Sequence, residues 1–118
     1  MEAGDYVKLH EQKESDVVIL KPEGRIDASA LPEFSAFLYR KIDDGAKKIL
    51  IDFSGSDYMS SAGIRALLEG YKRIQQNKGD MAFCSVDENL LELFEVVSLD
   101  KVFMIYPDEF TALDKMMA

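Results

Sequence analysis

The sequence predicts one α/β domain with a mixed β-sheet, and three observations carry this prediction. Apolar runs typical of strands alternate with amphipathic stretches typical of helices, in the order β-β-α-β-α-β-α-β-α. Strand–helix–strand repetition favours parallel neighbouring strands with right-handed crossovers. A short polar turn separates the first two strands, which predicts an antiparallel hairpin whose first strand lies at the sheet edge. We expect a single domain over 1–118, with a core over about 6–116 and about four helices packed mainly over one face.

The first half of the chain supplies the hairpin, a helix and the central strand. Loosely alternating residues predict a strand over 6–11, and a polar turn over 13–16 leads to a second strand over 17–22. An apolar stripe at helical spacing, with a proline in the first turn, predicts a helix over about 29–43. The strand over 47–53 has an unbroken apolar centre, which is typical of a strand buried on both faces.

The second half alternates helices and strands. We expect a helix beginning near Ser61, a strand over 81–86, a helix over about 88–97, a strand over 102–106 and a last helix from 108 or 109. The side chains expected to face the core from these three helices are Ile64, Leu67, Leu68, Tyr71, Ile74, Leu90, Leu91, Phe94, Val97, Phe110, Leu113 and Met117. Those expected to face water from the first of them are Arg65, Glu69, Lys72, Arg73 and Gln76.

The charge balance narrows the classes of partner. The chain has 22 acidic and 14 basic residues, for a formal net charge of −8, which disfavours nucleic acid and anionic membrane surfaces. Acidity of this kind favours a protein partner or a small ligand. The sequence shows no signal-peptide pattern, and no apolar run approaches the roughly 20 residues of a membrane span. We therefore expect no membrane insertion. Cys84 is the only cysteine, so we expect a core thiol and a cytoplasmic location.

Two adjacent serines, Ser60 and Ser61, stand where the central strand's loop enters the next helix. Free backbone N–H groups and the helix dipole favour an anion at such a position. One interpretation is that a serine here caps the helix. The other is that phosphate is added and removed here, which changes what the surface binds. The residue types alone leave both interpretations open.

Three aspartates follow the ends of predicted strands. Asp27 comes after the second strand, Asp52 ends the third, and Asp57 lies in the loop before the serines. Because loops beyond the carboxyl ends of parallel strands gather at one sheet edge, one interpretation is that Asp27, Asp52 and Ser61 converge there. The alternative is that Asp27 caps the following helix and Asp52 binds loop amides.

No motif in the sequence favours an enzyme. The sequence lacks a phosphate-binding P-loop, a dinucleotide-binding glycine turn and a nucleophile elbow, and its single histidine cannot build a zinc site alone. An aspartyl-phosphate receiver with Asp52 as acceptor would need an acidic pair that holds magnesium, which Glu11 and Glu14 do not form convincingly. We therefore predict no catalytic residue, no metal and no cofactor.

Four segments together carry a resemblance to a known family. They are the turn Gly24-Arg25-Ile26-Asp27, the strand at 49–53, the loop at 58–64 and the late segment at 94–99. Their order and spacing resemble those of STAS domains, specifically the stand-alone anti-sigma factor antagonists, over about 6–116. The resemblance implies that the unphosphorylated protein binds an anti-sigma factor, which is also a serine kinase, and thereby frees a sigma factor for transcription.

The resemblance also implies a switch. Phosphorylation of one serine at the helix start breaks the complex, and a serine phosphatase restores it. Aligning the family's Ser-Gly junction on Gly63 places the phosphoacceptor at Ser61, with Ser60 as second choice. Ser60 stands where an acidic residue is common, and Ala62 where serine or threonine is common. The partner-binding surface is expected to comprise Asp27, Asp52, Asp57, Met59, Ser60, Ser61, Ala62, Gly63 and Arg65.

Two other roles occur among similar domains. Some STAS domains are regulatory subunits of membrane transporters and are not phosphorylated. Others are scaffolds in larger signalling assemblies, sometimes with nucleotide near the same loop, so weak nucleotide binding is retained as an expectation.

Overall fold

The computed structural model describes residues 7–117, within which five strands form one mixed sheet. The strands are β1 (Lys8–Glu14), β2 (Val17–Glu23), β3 (Lys48–Asp52), β4 (Asp80–Cys84) and β5 (Met104–Tyr106). They lie in the order β1-β2-β3-β4-β5, with β1 antiparallel to β2 and the later pairs parallel. The predicted mixed sheet, with an N-terminal hairpin and β1 at the edge, is confirmed. Tyr6, where the sequence places the start of the first strand, lies outside the described residues.

Four α-helices cover this sheet within the described part of the chain. They are α1 (Leu31–Asp43), α2 (Ser61–Gln76), α3 (Glu88–Val96) and α4 (Glu109–Met116). Helices α1, α2 and α3 contribute buried side chains to one core, and α4 contributes to a second, smaller core across the sheet. We call these two sides the α1–α3 face and the α4 face. The prediction that the helices pack mainly over one face is therefore confirmed.

Aromatic rings fill the α1–α3 face beneath the loops that follow β3 and β4. Phe53, Phe83 and Phe94 are each at most 1% exposed, and their ring centroids lie 5.2 to 5.7 Å apart. Aromatic pairs at such separations stabilise a core beyond the area that they bury. Because Phe53 directly follows β3, this cluster supports the start of the loop that leads into α2.

The apolar core on the α4 face contains fewer buried side chains than the core on the α1–α3 face. Its core contains Val17, Ile19, Leu50, Ala82, Cys84 and Ala112. Burial raises the pKa of the Cys84 thiol to about 12, so this cysteine stays protonated at neutral pH. The expectation of a core thiol is confirmed.

Several boundaries differ by a few residues from the sequence prediction, and two of these differences have a clear structural cause. Lys13 and Glu14 belong to β1 and not to the turn, because the register pairs Glu14 with Val17 and leaves a turn of two residues. Their polar side chains are compatible with a strand because β1 is an edge strand exposed to water. At the other end, β5 begins at Met104, since a 3₁₀ helix at Leu99–Lys101 occupies the chain just before it.

Three side chains predicted to face the core are exposed. Val97 is 46% exposed because α3 ends before it and Ser98, with a left-handed φ of 63°, redirects the chain. Phe110 is 82% exposed and Met117 is also exposed, because α4 turns its Ala112 side to the sheet. Positions 110 and 117 are seven residues apart, so they share the opposite side of that helix.

One side chain predicted to face water is only partly exposed. The Arg73 guanidinium lies 4.0 Å from the centre of the Tyr39 ring, and its Nε donates to Glu69 at 3.3 Å. The tyrosine comes from α1, so this contact joins the outer surfaces of α1 and α2.

Candidate functional site

The loop after β3 enters α2 at the two serines, and Ser60 is the N-cap. Its backbone is extended, with φ −75° and ψ 164°, and its Oγ accepts a hydrogen bond from the Gly63 N–H at 3.2 Å. Its carbonyl accepts from the Ile64 N–H at 3.1 Å. An N-cap hydroxyl of this kind stabilises a helix by about 1 kcal/mol. The capping interpretation therefore holds for Ser60.

Ser61 is the first residue of α2, and its side chain is exposed. Its hydroxyl makes no hydrogen bond to any residue in 7–117, in contrast to the hydroxyl of Ser60. The first turn of α2 carries no acidic side chain that would occupy its free amides. A group attached to this oxygen would stand in solvent beside unsatisfied backbone N–H donors.

Backbone pairing holds this loop against the segment that follows β2. Ile26 donates its N–H to the Tyr58 carbonyl at 3.1 Å, and the Ile26 carbonyl accepts from the Ser60 N–H at 2.9 Å. An isolated parallel bridge between Ile26 and Met59 links the same two segments. The pairing brings the turn that contains Asp27 close to the start of α2.

Met59 and Gly63 lie beneath the surface. Met59 is 1% exposed, and a Cβ placed on Gly63 would stand 2.6 Å from the Met59 Cγ. Their burial corrects the expectation that both contact a partner directly. Met59 instead packs under the first turn of α2 and leaves no space for a side chain at position 63.

Asp27 organises the turn that leads into α1. Its Oδ1 accepts from the Ser29 hydroxyl at 2.8 Å and from the N–H groups of Ser29 and Ala30 at 3.1 Å each. The hydrogen bonds from the Ser29 hydroxyl and the Ala30 amide hold the pKa of Asp27 below its usual range. Asp27 thus caps this turn through its Oδ1.

Asp52 does not join Ser61, which corrects the predicted convergence. It is 3% exposed and lies on the α4 face, because successive side chains of β3 point to opposite faces and Leu50 also points there. Its Oδ1 accepts from the Ser54 N–H at 2.9 Å, and its Oδ2 lies 3.6 Å from the Lys21 Nζ. Lys21 lies equally close to Glu109 of α4. A direct contact between Asp52 and a partner does not fit this burial.

Asp57 is exposed beside a cleft at the carboxyl edge of the sheet. The cleft has a volume of about 400 Å³ and is lined by Gly24, Arg25, Phe53, Ser54, Gly55, Ser56, Asp57, Ser85 and Asp87. At the border of this cleft, the Arg25 guanidinium lies 4.0 Å from the centre of the Tyr58 ring. Sequence reasoning did not select Arg25 or Tyr58 as site residues, because their contact depends on the pairing of two segments far apart in the chain.

Ala62 and Arg65 complete the predicted surface. Ala62 is half-buried, and Arg65 is exposed one turn beyond Ser61. The side chains that reach solvent around the start of α2 are therefore those of Ser61, Ala62, Arg65, Asp57 and, in part, Ser60.

No group of three or more His, Cys, Asp and Glu side chains suited to a metal ion occurs among residues 7–117. None of the helices that the structure describes has both the length and the apolar character needed to cross a membrane.

A family model described as the STAS domain matches residues 8–112. The chain belongs to the STAS domain family. An anti-sigma F factor antagonist of Paenibacillus polymyxa is 27% identical over 105 residues, which cover 85% of this chain and 86% of that protein. The match to the family model includes the five described strands, both serines and the first half of α4.

Solved structures agree on the fold. An anti-sigma factor antagonist from Mycobacterium paratuberculosis superimposes on this STAS domain with a TM-score of 0.90 at 19% identity, covering 100% of both chains. The Bacillus cell fate determinant SpoIIAA in its phosphorylated form superimposes with a TM-score of 0.73 at 19% identity, covering 92% of this chain and 98% of that chain.

Proposed function

We propose that this STAS domain is an anti-sigma factor antagonist whose unphosphorylated form binds an anti-sigma factor and frees a sigma factor for transcription. Family membership and the name of the relative from Paenibacillus polymyxa support this role. The observation that carries the proposal is the contrast between the two serines. The Ser60 hydroxyl is used as the helix cap, whereas the Ser61 hydroxyl is exposed and unbonded within residues 7–117.

The switch is the phosphorylation of Ser61. The anti-sigma factor acts as a serine kinase: a bond forms between Ser61 Oγ and the γ-phosphorus of ATP, ADP leaves, and the hydroxyl proton passes to a base of the kinase. A serine phosphatase then hydrolyses the ester with water, which restores the hydroxyl and releases inorganic phosphate. In this cycle both reactions belong to the partners, and the STAS domain supplies only the acceptor oxygen.

The folded domain should tolerate the modification. Phosphoserine carries about −1.5 to −2 charges at neutral pH. At the first residue of α2 it faces free N–H groups, and an anion there is stabilised by on the order of 1 kcal/mol. Because Ser61 is exposed, the added group displaces no buried side chain.

A bound partner should not tolerate it. The proposed contact surface consists of the exposed or half-buried residues around Ser61, namely Asp57, Ser60, Ala62 and Arg65 together with Asp27. A partner that covers Ser61 would have to desolvate a doubly charged group, and an unpaired buried charge is costly. Phosphorylation therefore releases the partner without unfolding the domain.

The test compares Ser61→Ala, Ser61→Asp and the matched control Ser60→Ala. Each variant is incubated with the cognate kinase and ATP, phosphate is mapped by mass spectrometry, and binding of the anti-sigma factor is measured by calorimetry. Ser61→Ala should bind the partner and take up no phosphate. Ser61→Asp should fold and bind at least about tenfold more weakly, which corresponds to about 1.4 kcal/mol.

Ser60→Ala should still be phosphorylated at Ser61 while losing about 1 kcal/mol of stability with its cap. Phosphate on Ser60 and none on Ser61 would move the site by one residue. A kinase that binds but modifies neither serine would contradict the switch and favour a regulatory subunit of a transporter or a scaffold.

A further inference from the structure

Arg65 is an exposed cation one helical turn beyond Ser61. Residues four apart on a helix lie on the same side, with Cβ atoms about 5–6 Å apart. Helical side chains lean towards the N-terminus of their helix. This geometry puts position 61 within reach of a long side chain at position 65.

The carboxylate best placed to pair with Arg65 has another partner. Glu69 stands four residues beyond Arg65, but its Oε2 accepts from the Arg73 Nε at 3.3 Å. Arg73 is held in turn over the Tyr39 ring at 4.0 Å. Within residues 7–117 the Arg65 guanidinium has neither a carboxylate partner nor an aromatic ring.

Other charged side chains near Ser61 already have contacts of their own. The Arg25 guanidinium stacks over Tyr58 at 4.0 Å, and the Asp27 carboxylate binds its own turn. Asp27 and Asp57 belong to the two loops that flank the start of α2, so a new negative charge there is repelled from the loop side. The favourable direction for a phosphate at Ser61 is along α2, towards Arg65.

We infer that Arg65 is the positioning residue for phosphoserine at 61: its guanidinium donates N–H groups to the phosphate oxygens and holds the phosphate against α2. This inference rests on the proposed phosphorylation of Ser61. Arginine forms bidentate, charge-assisted hydrogen bonds with phosphate, which makes it well suited to this contact. The modification then adds negative charge to the surface and, at the same time, withdraws an exposed cation from any acidic group of the partner.

The experiment uses the full chain with phosphoserine incorporated genetically at position 61, so that no kinase is needed. The second ionisation of the phosphate is followed by ³¹P NMR as a function of pH in the unsubstituted phosphoprotein and in Arg65→Ala, Arg65→Lys and Lys72→Ala. Lys72 is the matched control, since it is an exposed cation on the same helix almost two turns further on. Circular dichroism verifies that each variant is folded.

A cation beside the phosphate lowers its second pKa, so Arg65→Ala should raise this pKa by about 0.5. Arg65→Lys should raise it less, because lysine keeps the charge and loses the bidentate geometry. Lys72→Ala should leave it unchanged. Equal titration curves for Arg65→Ala and the unsubstituted phosphoprotein, or an equal shift in Lys72→Ala, would overturn the inference.

Failure of this inference is distinguishable from failure of the proposed function. A kinase that leaves Ser61 unmodified contradicts the proposed switch, whatever the titration shows. A normal switch together with an unchanged titration in Arg65→Ala contradicts only the contact with Arg65.

Discussion

The two faces of the sheet are held to their helices by different forces. On the α1–α3 face, large apolar side chains pack together. Phe53 meets Phe83 and Phe94 edge to face, and all three ring centroids lie 5.2 to 5.7 Å apart. On the α4 face the apolar core is smaller, and α4 contributes Ala112 as its one fully buried hydrophobic residue among those described. The loop that presents Ser61 is supported by the first face, since Met59 beneath it belongs to that core.

The α4 face also has an ionic contact that includes the buried Asp52, which we call the Asp52 cluster: Lys21, Asp52 and Glu109. The lysine Nζ lies 3.6 Å from each carboxylate. Burial opposes ionisation of Asp52, but its interactions with Glu109 and the Ser54 amide outweigh it and lower the pKa of Asp52. The neighbouring Asp52 carboxyl group, together with burial, raises the pKa of Glu109. The comparison teaches that apolar packing supports the loop that presents Ser61. The contact between α4 and the sheet depends in addition on the protonation of Asp52 and Glu109.

The largest expected effect comes from removing an aromatic ring on the α1–α3 face. Phe94→Ala should lower the free energy of unfolding by about 3–5 kcal/mol, because it leaves a cavity among fully buried rings. Leu113→Ala on the half-buried side of α4 is the matched variant and should cost only about 1 kcal/mol. Urea denaturation of both variants measures the difference. Equal losses would show that the two faces contribute equally to the free energy of unfolding, which would contradict the difference described above.

A smaller effect is expected where packing supports the serine loop. Gly63→Ala should lower the free energy of unfolding by about 1–2 kcal/mol, since its Cβ would stand 2.6 Å from the Met59 Cγ. The better helix propensity of alanine offsets part of the loss. In a double-mutant cycle, Gly63→Ala should cost less in a Met59→Ala background, where the clash is relieved. Purely additive losses would mean that Met59 does not contact position 63.

The smallest effect concerns the Asp52 cluster and depends on pH. The folded-state pKa of Glu109 lies above its ordinary value of 4.5, so its contribution to stability is present below that value and is lost as the pH rises through the raised pKa. Glu109→Gln removes this loss, and its amide can donate to Asp52. The variant should therefore gain up to about 1 kcal/mol over the unsubstituted protein at neutral pH.

This gain should grow with pH from about 4 upwards and then level off, which denaturation at a series of pH values would reveal. Below the ordinary Asp value of 3.8, both proteins should lose stability as Asp52 is protonated through its lowered pKa. Glu92→Gln on the exposed side of α3 is the control and should change stability by less than about 0.5 kcal/mol. A gain that does not vary with pH would contradict a raised pKa at Glu109.

The sequence by itself determined the order of the elements, the hairpin at the sheet edge and the start of α2 at Ser61. These features follow from local signals: apolar periodicity, the short turn between β1 and β2, and a serine cap before an amphipathic stretch. Such signals act within a few residues along the chain, so a sequence pattern is sufficient to predict them. The roles assigned to Ser61 and its partners stay predictions.

Tertiary structure decided which side chains reach the surface. Asp52 lies across the sheet from Ser61, Met59 is buried under α2, and Phe110 is exposed on α4. No local pattern predicts these placements, because a strand end or a short helix offers apolar and polar side chains in several directions. Which direction is buried depends on the element that packs there, and that element is distant in sequence. For the same reason, only the folded chain shows that Glu69 pairs with Arg73 and leaves Arg65 without a partner among the described residues.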